Sequence, residues 1–508
     1  MIALHDIISQ QALAQPRAPA ILWQQQVITY AELQYGIESA IRAVSANTKN
    51  GDRIAILALN NPEYIECLYA IPAAGRICVP LNTRLSIKAL AEQFDELEIS
   101  LVIGDCDLIN QLRPWLADHV QVVFFADYRQ WCRLAHDAPV ESSWAATSIS
   151  GDDTAWLLFT SGTTGKAKAA KISHQSLLSA LDSANQGRPV LPGDRYLYPF
   201  PLFHIAAHNI LHQHQQGAAV ALLPSFDADS VLALSQQYQI TTLSLAPTMM
   251  TLLLDSPHYH RDKIASVRVI GYGASAISPR LLTRVLNETD CDLSQGFGMT
   301  ELSGSIAFLS PEQHRQAATR SPELLQSVGQ LVTNVDCKIV DQFGVEVANG
   351  EAGEIIVRGP QVISSYWNNP VATADAFKHG WLHTGDIGRL DKRGNLFIVD
   401  RKKDIIISGG ENIASREVEA AISLLDNVKQ VAVVGMADEK WGEQVCALVE
   451  RTNQLDLQPT ESAVILQCRN QLASYKSPKQ VVFDCLPINA NGKIDKQLVK
   501  RFFTHKKT

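Results

Sequence analysis

Short apolar runs rich in β-branched residues alternate with longer helical patterns through the first part of this chain, which leaves few folds open. Arg53–Leu59, Ile77–Leu81, Leu101–Gly104, Gln121–Phe125 and Ala155–Phe159 read as buried strands. Between the first two, the pattern predicts a helix over Pro62–Ala74, with Asn61 as its cap and Pro62 at its first position. Thr241–Leu245 and Arg268–Ile270 continue the series. Repeated strand–helix–strand units imply an α/β fold of mostly parallel sheets covered by helices.

The texture changes near residue 400. Asp391-Lys-Arg-Gly394 reads as a turn, and Asp400-Arg-Lys-Lys-Asp404 is a charged segment. Beyond it, Val418, Ala421, Ile422 and Leu425 fall on one helix face, and Val431–Gly435 and Cys446–Val449 read as strands. A chain of 508 residues is too long for one simple core. We therefore expect a large N-terminal α/β body over 1–400 and a small α+β C-terminal domain over 404–508, joined by a linker at 401–403.

A formal charge of −8 argues against nucleic acid as a general partner, because phosphate backbones require clustered Lys and Arg. No stretch approaches the roughly 20 apolar residues of a membrane helix. The start, Met1-Ile-Ala-Leu-His-Asp, lacks the basic and apolar regions of a signal peptide. Nine scattered cysteines without a Cys-x-x-Cys pair suggest reduced thiols. The expectation is a cytoplasmic protein without a membrane span.

The sharpest local feature is Leu157-Leu-Phe-Thr-Ser-Gly-Thr-Thr-Gly-Lys-Ala-Lys168. An apolar strand empties into Thr160, Ser161, Gly162, Thr163, Thr164 and Gly165, then Lys166 and Lys168. Glycines let the backbone approach a ligand, and successive N–H groups can converge on an anion. Hydroxyl donors and ammonium charge suit the same polyphosphate. A Ser/Thr/Gly surface turn has the same composition, so the loop alone decides nothing. It is not a Walker A loop, since no Gly-x-x-x-x-Gly-Lys-[Ser/Thr] occurs in the chain.

Thr160–Lys168 resembles the signature of the acyl-adenylate-forming superfamily, which includes acyl-CoA synthetases, adenylation domains and beetle luciferases. Gly296-Phe-Gly-Met-Thr-Glu301, Trp381-Leu-His-Thr-Gly-Asp386, Asp400–Asp404 with Ser408-Gly-Gly-Glu-Asn-Ile413, and Asn491-Gly-Lys493 match further family motifs in order. The resemblance runs from about Asn61 to Lys493. It departs at Ala167-Lys168-Ala169, where the family usually has Pro-Lys-Gly, and a less constrained end of the loop is expected there.

The resemblance implies roles for single residues. Thr160–Gly165 would wrap the β- and γ-phosphates of ATP, with Lys168 adding charge; Thr300 would contact the α-phosphate and Glu301 help hold Mg²⁺. An acid beside phosphates is repulsive unless a cation lies between them, and Mg²⁺ prefers oxygen ligands. Asp386 would accept the ribose hydroxyls, with Arg401 nearby. Lys493 would stabilise the charge that builds when a carboxylate attacks the α-phosphate. Lys403 aligns with the family hinge, about which the C-terminal domain pivots between two poses.

Gly409 and Gly410 lie in a motif resembling that of the CoA ligases, where they border the pantetheine tunnel; Asp438-Glu-Lys-Trp-Gly-Glu443 also resembles a CoA-ligase segment. The acid pocket is expected from Pro201-Leu-Phe-His204, from Gly271-Tyr-Gly-Ala-Ser275 (with Gly273, Ala274 and Ser275), and from Gly296-Phe297. His204 matches a position at its entrance. His204, His208 and His212 are four apart, as zinc ligands on a helix can be, but no His-Glu-x-x-His or convergent acid accompanies them. The expected reaction converts a carboxylic acid, fatty or aryl, and MgATP into acyl-AMP, then acyl-CoA. Two rivals stand beside it: an acyl-AMP ligase loading a carrier-protein phosphopantetheine, and a non-catalytic adenylate-binding protein.

Overall fold

The computed structural model describes residues 2–135, 149–160, 167–273, 277–452, 459–490 and 492–504. Their strands form three sheets. A six-stranded sheet runs in the order Gln121–Phe124, Ile99–Gly104, Arg53–Leu57, Ile77–Pro80, Thr154–Thr160, Lys168–Ser173. All its pairings are parallel except the last, where Lys168–Ser173 returns against Thr154–Thr160. The parallel strands are apolar along their length because both faces are covered: Ile54, Ala55, Ile56 and Leu57 are all buried. The helix between the first two strands spans Pro62–Ala73, and Asn61 caps it by accepting the Tyr64 N–H at 2.8 Å. A cap of this kind contributes about 1 kcal/mol.

The second sheet has 14 strands. Pro19–Trp23, Ala219–Leu222, Arg195–Tyr198, Thr242–Leu245, Val269–Tyr272 and Asp292–Met299 are parallel neighbours in that order. From Asp292–Met299 onward the sheet becomes antiparallel, through Gly304–Leu309, Ser327–Leu331, Asn395–Arg401, Trp381–Leu390, Gly353–Arg358 and Asp336–Val340. The α/β body thus carries an antiparallel extension that the apolar runs did not announce. Within it, Trp381–Leu390 alternates buried and half-buried residues, as a strand does when one face is less covered.

The last strand of this sheet ends at Arg401; the first strand of a third, smaller sheet begins at Ile406. There Val428–Asp438 and Gly442–Arg451 pair antiparallel, and Gln480–Phe483 adds in parallel. Helix Ser415–Ile422 buries Val418, Ala421 and Ile422 against them. It stops at Ile422, so Leu425 lies outside the helix and packs on the same core from the following loop. No helix among the described residues is long and apolar enough to cross a membrane.

Candidate active site

The phosphate-loop hairpin is held at both ends. Thr160 and Lys168 pair across the two strands, while Ser161, Gly162, Thr163, Thr164 and Gly165 lie outside the described residues. Of the three residues that depart from Pro-Lys-Gly, Ala167 precedes the strand, while Lys168 and Ala169 lie on it: Ala169 pairs with Phe159 and is 1% exposed, its methyl part of the core. The segment 365–367 clamps this strand, with Lys171 N–H donating to Ser365 O at 3.1 Å and Trp367 N–H to Ala169 O at 2.8 Å.

That clamp places Tyr366 between two of the expected phosphate-site residues. The Lys168 ammonium lies over its ring, 5.3 Å from the centroid, and its hydroxyl donates to Glu301 Oε1 at 2.9 Å. Glu301 sits on a short 3-10 turn, Thr300–Leu302, at the end of strand Asp292–Met299, and is buried. Burial and the adjoining carboxylate push the Tyr366 phenol well above its usual range, so it stays a donor. Nothing in Ser-Ser-Tyr-Trp marks Tyr366 in the sequence; only the strand clamp brings it here.

Asp386 and Arg401 come from neighbouring strands and pair directly across the ladder. Arg401 Nε meets Asp386 Oδ1 at 2.7 Å, while the buried Oδ2 has no hydrogen-bond partner among the described residues. Burial raises the Asp386 pKa, opposed by Arg401, Arg416 and Lys493. A buried carboxylate oxygen facing cations and lacking a donor is an acceptor waiting for a ligand hydroxyl.

Lys493 reaches the same place from the other domain. Burial and the Arg401 guanidinium lower its pKa, Asp386 raises it, Arg416 lowers it and Glu301 raises it. Its side chain is nonetheless reached by solvent, so these groups line a cleft instead of a sealed core. Its loop is seated on the body: Asn82 Nδ2 donates to Ala490 O at 3.4 Å, and Arg84 Nη1 lies beside Gly492. Arg84 and Arg416 are further cations that no motif signalled, since each is near the cleft only through this docking.

His204 lies at the body side of the cleft. Burial, Arg84 and Lys493 push its pKa down to about 4, which keeps the imidazole neutral. His204 precedes the 3-10 turn Ile205–Ala207, whereas His208 and His212 lie on helix His208–Gln215, so the three do not share one helix face. Among the described residues no three His, Cys, Asp or Glu side chains converge as a metal cage. Gly273 and Gly296 touch: a Cβ at 273 would lie 2.6 Å from Gly296 O. Phe297 is half-buried beside them, and Ala274 and Ser275 lie outside the described residues.

Gly409 and Gly410 lie in the C-terminal domain. They form the two-residue turn of the hairpin Ile406–Ser408 to Glu411–Ile413, with φ of 62° and 84°. Positive φ at both positions is the requirement of a tight hairpin, which glycine meets without strain. Their contact is with Trp441, whose carbonyl accepts the Gly409 N–H at 2.8 Å. Lys403 lies exposed on the 3-10 turn Lys402–Asp404 between the two domains' sheets.

The family model described as AMP-binding enzyme matches residues 8–367. The chain belongs to the AMP-binding enzyme family. The model of the AMP-binding enzyme C-terminal domain matches residues 417–493, which places Lys493 at the end of the match. An indoleacetate–CoA ligase of Aromatoleum aromaticum is 33% identical over 99% of this chain and 98% of its own. A 2-succinylbenzoate–CoA ligase of Bacillus cereus is 30% identical over 97% of this chain and 98% of its own. Among solved AMP-binding enzymes, the o-succinylbenzoate CoA synthetase of Bacillus subtilis in complex with its acyl-adenylate intermediate superposes with a TM-score of 0.85. It is 29% identical, over 97% of each chain. The same enzyme in complex with ATP and magnesium ion superposes with a TM-score of 0.84.

Proposed function

We propose that this AMP-binding enzyme is an AMP-forming acid–CoA ligase in which Asp386 holds the ribose of ATP and Lys493 serves the adenylation step. The observation that carries the reading is the convergence of Asp386, Arg401, Glu301 and Lys493 on one water-accessible cleft. In the first step a carboxylate oxygen of the acid attacks the α-phosphorus, and the bond to pyrophosphate breaks. In the second, the thiol sulfur of coenzyme A attacks the acyl carbonyl, and AMP leaves.

The roles follow from the donors and acceptors. The free Oδ2 of Asp386 accepts the vicinal ribose hydroxyls, and Arg401 keeps the carboxylate ionised and oriented. Thr300 offers its hydroxyl to the α-phosphate, with Thr160–Gly165 and Lys168 holding the β- and γ-phosphates. Glu301, an oxygen donor, would hold Mg²⁺, which neutralises phosphate charge; one carboxylate plus nucleotide phosphates is a usual Mg²⁺ environment. Lys493 is preorganised among cations that raise its affinity for an anion, so it favours the transition state, where charge spreads over both anions. Neutral His204 borders the acid's path without adding charge.

The domain boundary is proposed at 401–403, with Lys403 as pivot. The docked Lys493 loop fits the adenylating pose, and carrying Gly409–Gly410 towards a pantetheine path requires the C-terminal domain to rotate. Coenzyme A is favoured over a carrier protein by the CoA-ligase relatives. The acid is a small molecule with an apolar portion, supported by Leu202, Phe203 and Phe297. Nine free cysteines support a cytoplasmic setting. The test is acid-dependent ATP–pyrophosphate exchange, followed by CoA-dependent AMP release; exchange that coenzyme A cannot convert into AMP release would favour a carrier-protein acceptor.

A further inference from the structure

One half-buried cation in the body has no carboxylate partner among the described residues. Arg188 follows helix His174–Gly187 and turns inward between the strand Thr242–Leu245 and helix His208–Gln215. Nη1 donates to Ser244 Oγ at 2.9 Å and Nη2 to Asn209 Oδ1 at 2.7 Å. Both acceptors are neutral, and Ser244 Oγ also receives the Tyr196 hydroxyl at 2.9 Å. No ion pair to Arg188 exists among the described residues. Nearby Arg268 has its own carboxylate, Asp194, at 3.2 Å.

The surroundings add no negative charge. His208 and His212 lie close enough for Arg188 to depress their pKa values, to about 4 and about 3, with burial the larger cause. Both are neutral at physiological pH. His212 is fully buried, and its Nδ1 has no hydrogen-bond partner among the described residues. Burial also lowers the Arg188 pKa, yet the residue keeps part of its surface open to water. The guanidinium is thus closely surrounded by protein and still reached by water.

Arg188 lies beside a segment from which the acid pocket is expected. Arg188 Nη1 occupies the space a side chain at Gly271 would fill, so glycine there is what lets the guanidinium lie against the strand. Gly271 opens the segment that leads to Gly273, and Asn209 lies just after the Pro201–His204 segment. Arg188 lies against Gly271, two residues before Gly273, which meets Gly296.

We propose that Arg188 is an anion subsite at the far end of the acyl pocket, and that the substrate is a dicarboxylic acid whose second carboxylate it binds. This rests on the acid-activating function proposed above. A planar guanidinium with donors to spare matches a carboxylate, and an unpaired charge removed from water is costly until such a partner arrives.

The test is ATP–pyrophosphate exchange with aliphatic and aromatic dicarboxylic acids of graded length, each beside its monomethyl ester. The full-length protein is expected to prefer at least one diacid over its ester by tenfold or more in kcat/KM, roughly one charge-assisted hydrogen bond. Arg188→Gln, which keeps donors for Ser244 and Asn209, is expected to lose about a hundredfold on that diacid while the ester is unchanged or improved. Esters accepted as well as diacids at every length would overturn the subsite and leave acid activation standing. Exchange with no acid at all would overturn the activity itself. The diacid–ester comparison needs no variant, so it decides even where Arg188→Gln fails to fold.

Discussion

Asp386 and Arg401 share a 2.7 Å ion pair that uses only one carboxylate oxygen, leaving the other buried and without a partner among the described residues. If that oxygen serves the ribose diol, Asp386→Asn keeps the shape but removes the charge-assisted acceptor and releases Arg401. KM for ATP is expected to rise about 10- to 100-fold, equivalent to roughly 1.5–3 kcal/mol. KM for the acid should stay near its original value. Steady-state kinetics with each substrate varied in turn checks this.

Lys493→Ala is expected to slow adenylation by about 10²–10³-fold or more, the scale for losing one charge-stabilising donor. Thioester formation from supplied acyl-AMP should be spared, and equal loss of both half-reactions would remove Lys493 from its role. The pH profile gives a second check. Because burial and Arg401 lower its pKa, the ammonium is lost, and adenylation with it, at a pH below the usual lysine range. The alkaline limb of kcat/KM should therefore shift upward in Lys493→Arg.

Tyr366 holds Glu301 by a 2.9 Å hydrogen bond and lies under Lys168, which makes it a positioning residue. Tyr366→Phe keeps the ring and the cation–π contact. The half-saturating Mg²⁺ concentration is expected to rise about fivefold, for one hydrogen bond of about 1 kcal/mol. A structural role alone would lower Tm without moving the Mg²⁺ dependence.

Asp400 ties the two domains together across the hinge. It is buried, and its Oδ2 accepts the Ser415 hydroxyl at 2.7 Å and the Ser415 N–H at the start of helix Ser415–Ile422. Asp400→Asn should weaken the docked pose and lower the adenylation rate about tenfold, the scale of one charged hydrogen bond, more than it lowers thioester formation. Single-turnover measurements of the two half-reactions separate the effects.

Buried neutral histidines set an acid limit on stability. His174, His204, His208, His212 and His214 all have pKa values pushed below the unfolded value, chiefly by burial. The unfolded chain then binds more protons between the two values, so stability is full above about pH 6.5 and is lost as pH falls towards 4. Each histidine adds at most about 1.4 kcal/mol per pH unit in that window. Tm should fall steeply from pH 7 to 5, and less so in His212→Gln if that variant folds.

Local pattern was enough to read the strands of the first sheet, Thr242–Leu245, the Asn61-capped helix and the C-terminal strand cores, because each depends on side chains within a few residues of one another. It missed the parallel strands Pro19–Trp23, Arg195–Tyr198, Ala219–Leu222 and Asp292–Met299. It was not enough for the antiparallel half of the large sheet, whose strands show no uniform burial period. It also carried the helix face on to Leu425, where the chain had already turned.

The same division holds for the site. The residue types at Thr160–Gly165, Thr300-Glu301, Asp386 and Lys493 were legible because phosphate, ribose and Mg²⁺ chemistry demands those donors and acceptors wherever they stand. Tertiary structure alone decided that Tyr366 links Lys168 to Glu301, that Arg84 and Arg416 join the cleft, and that Gly409–Gly410 forms a tight turn beside Trp441. It alone decided that Arg188 lies half-buried with no carboxylate partner among the described residues. Charge environment is a property of three-dimensional neighbours, and no spacing along the chain encodes which cation ends up unpaired.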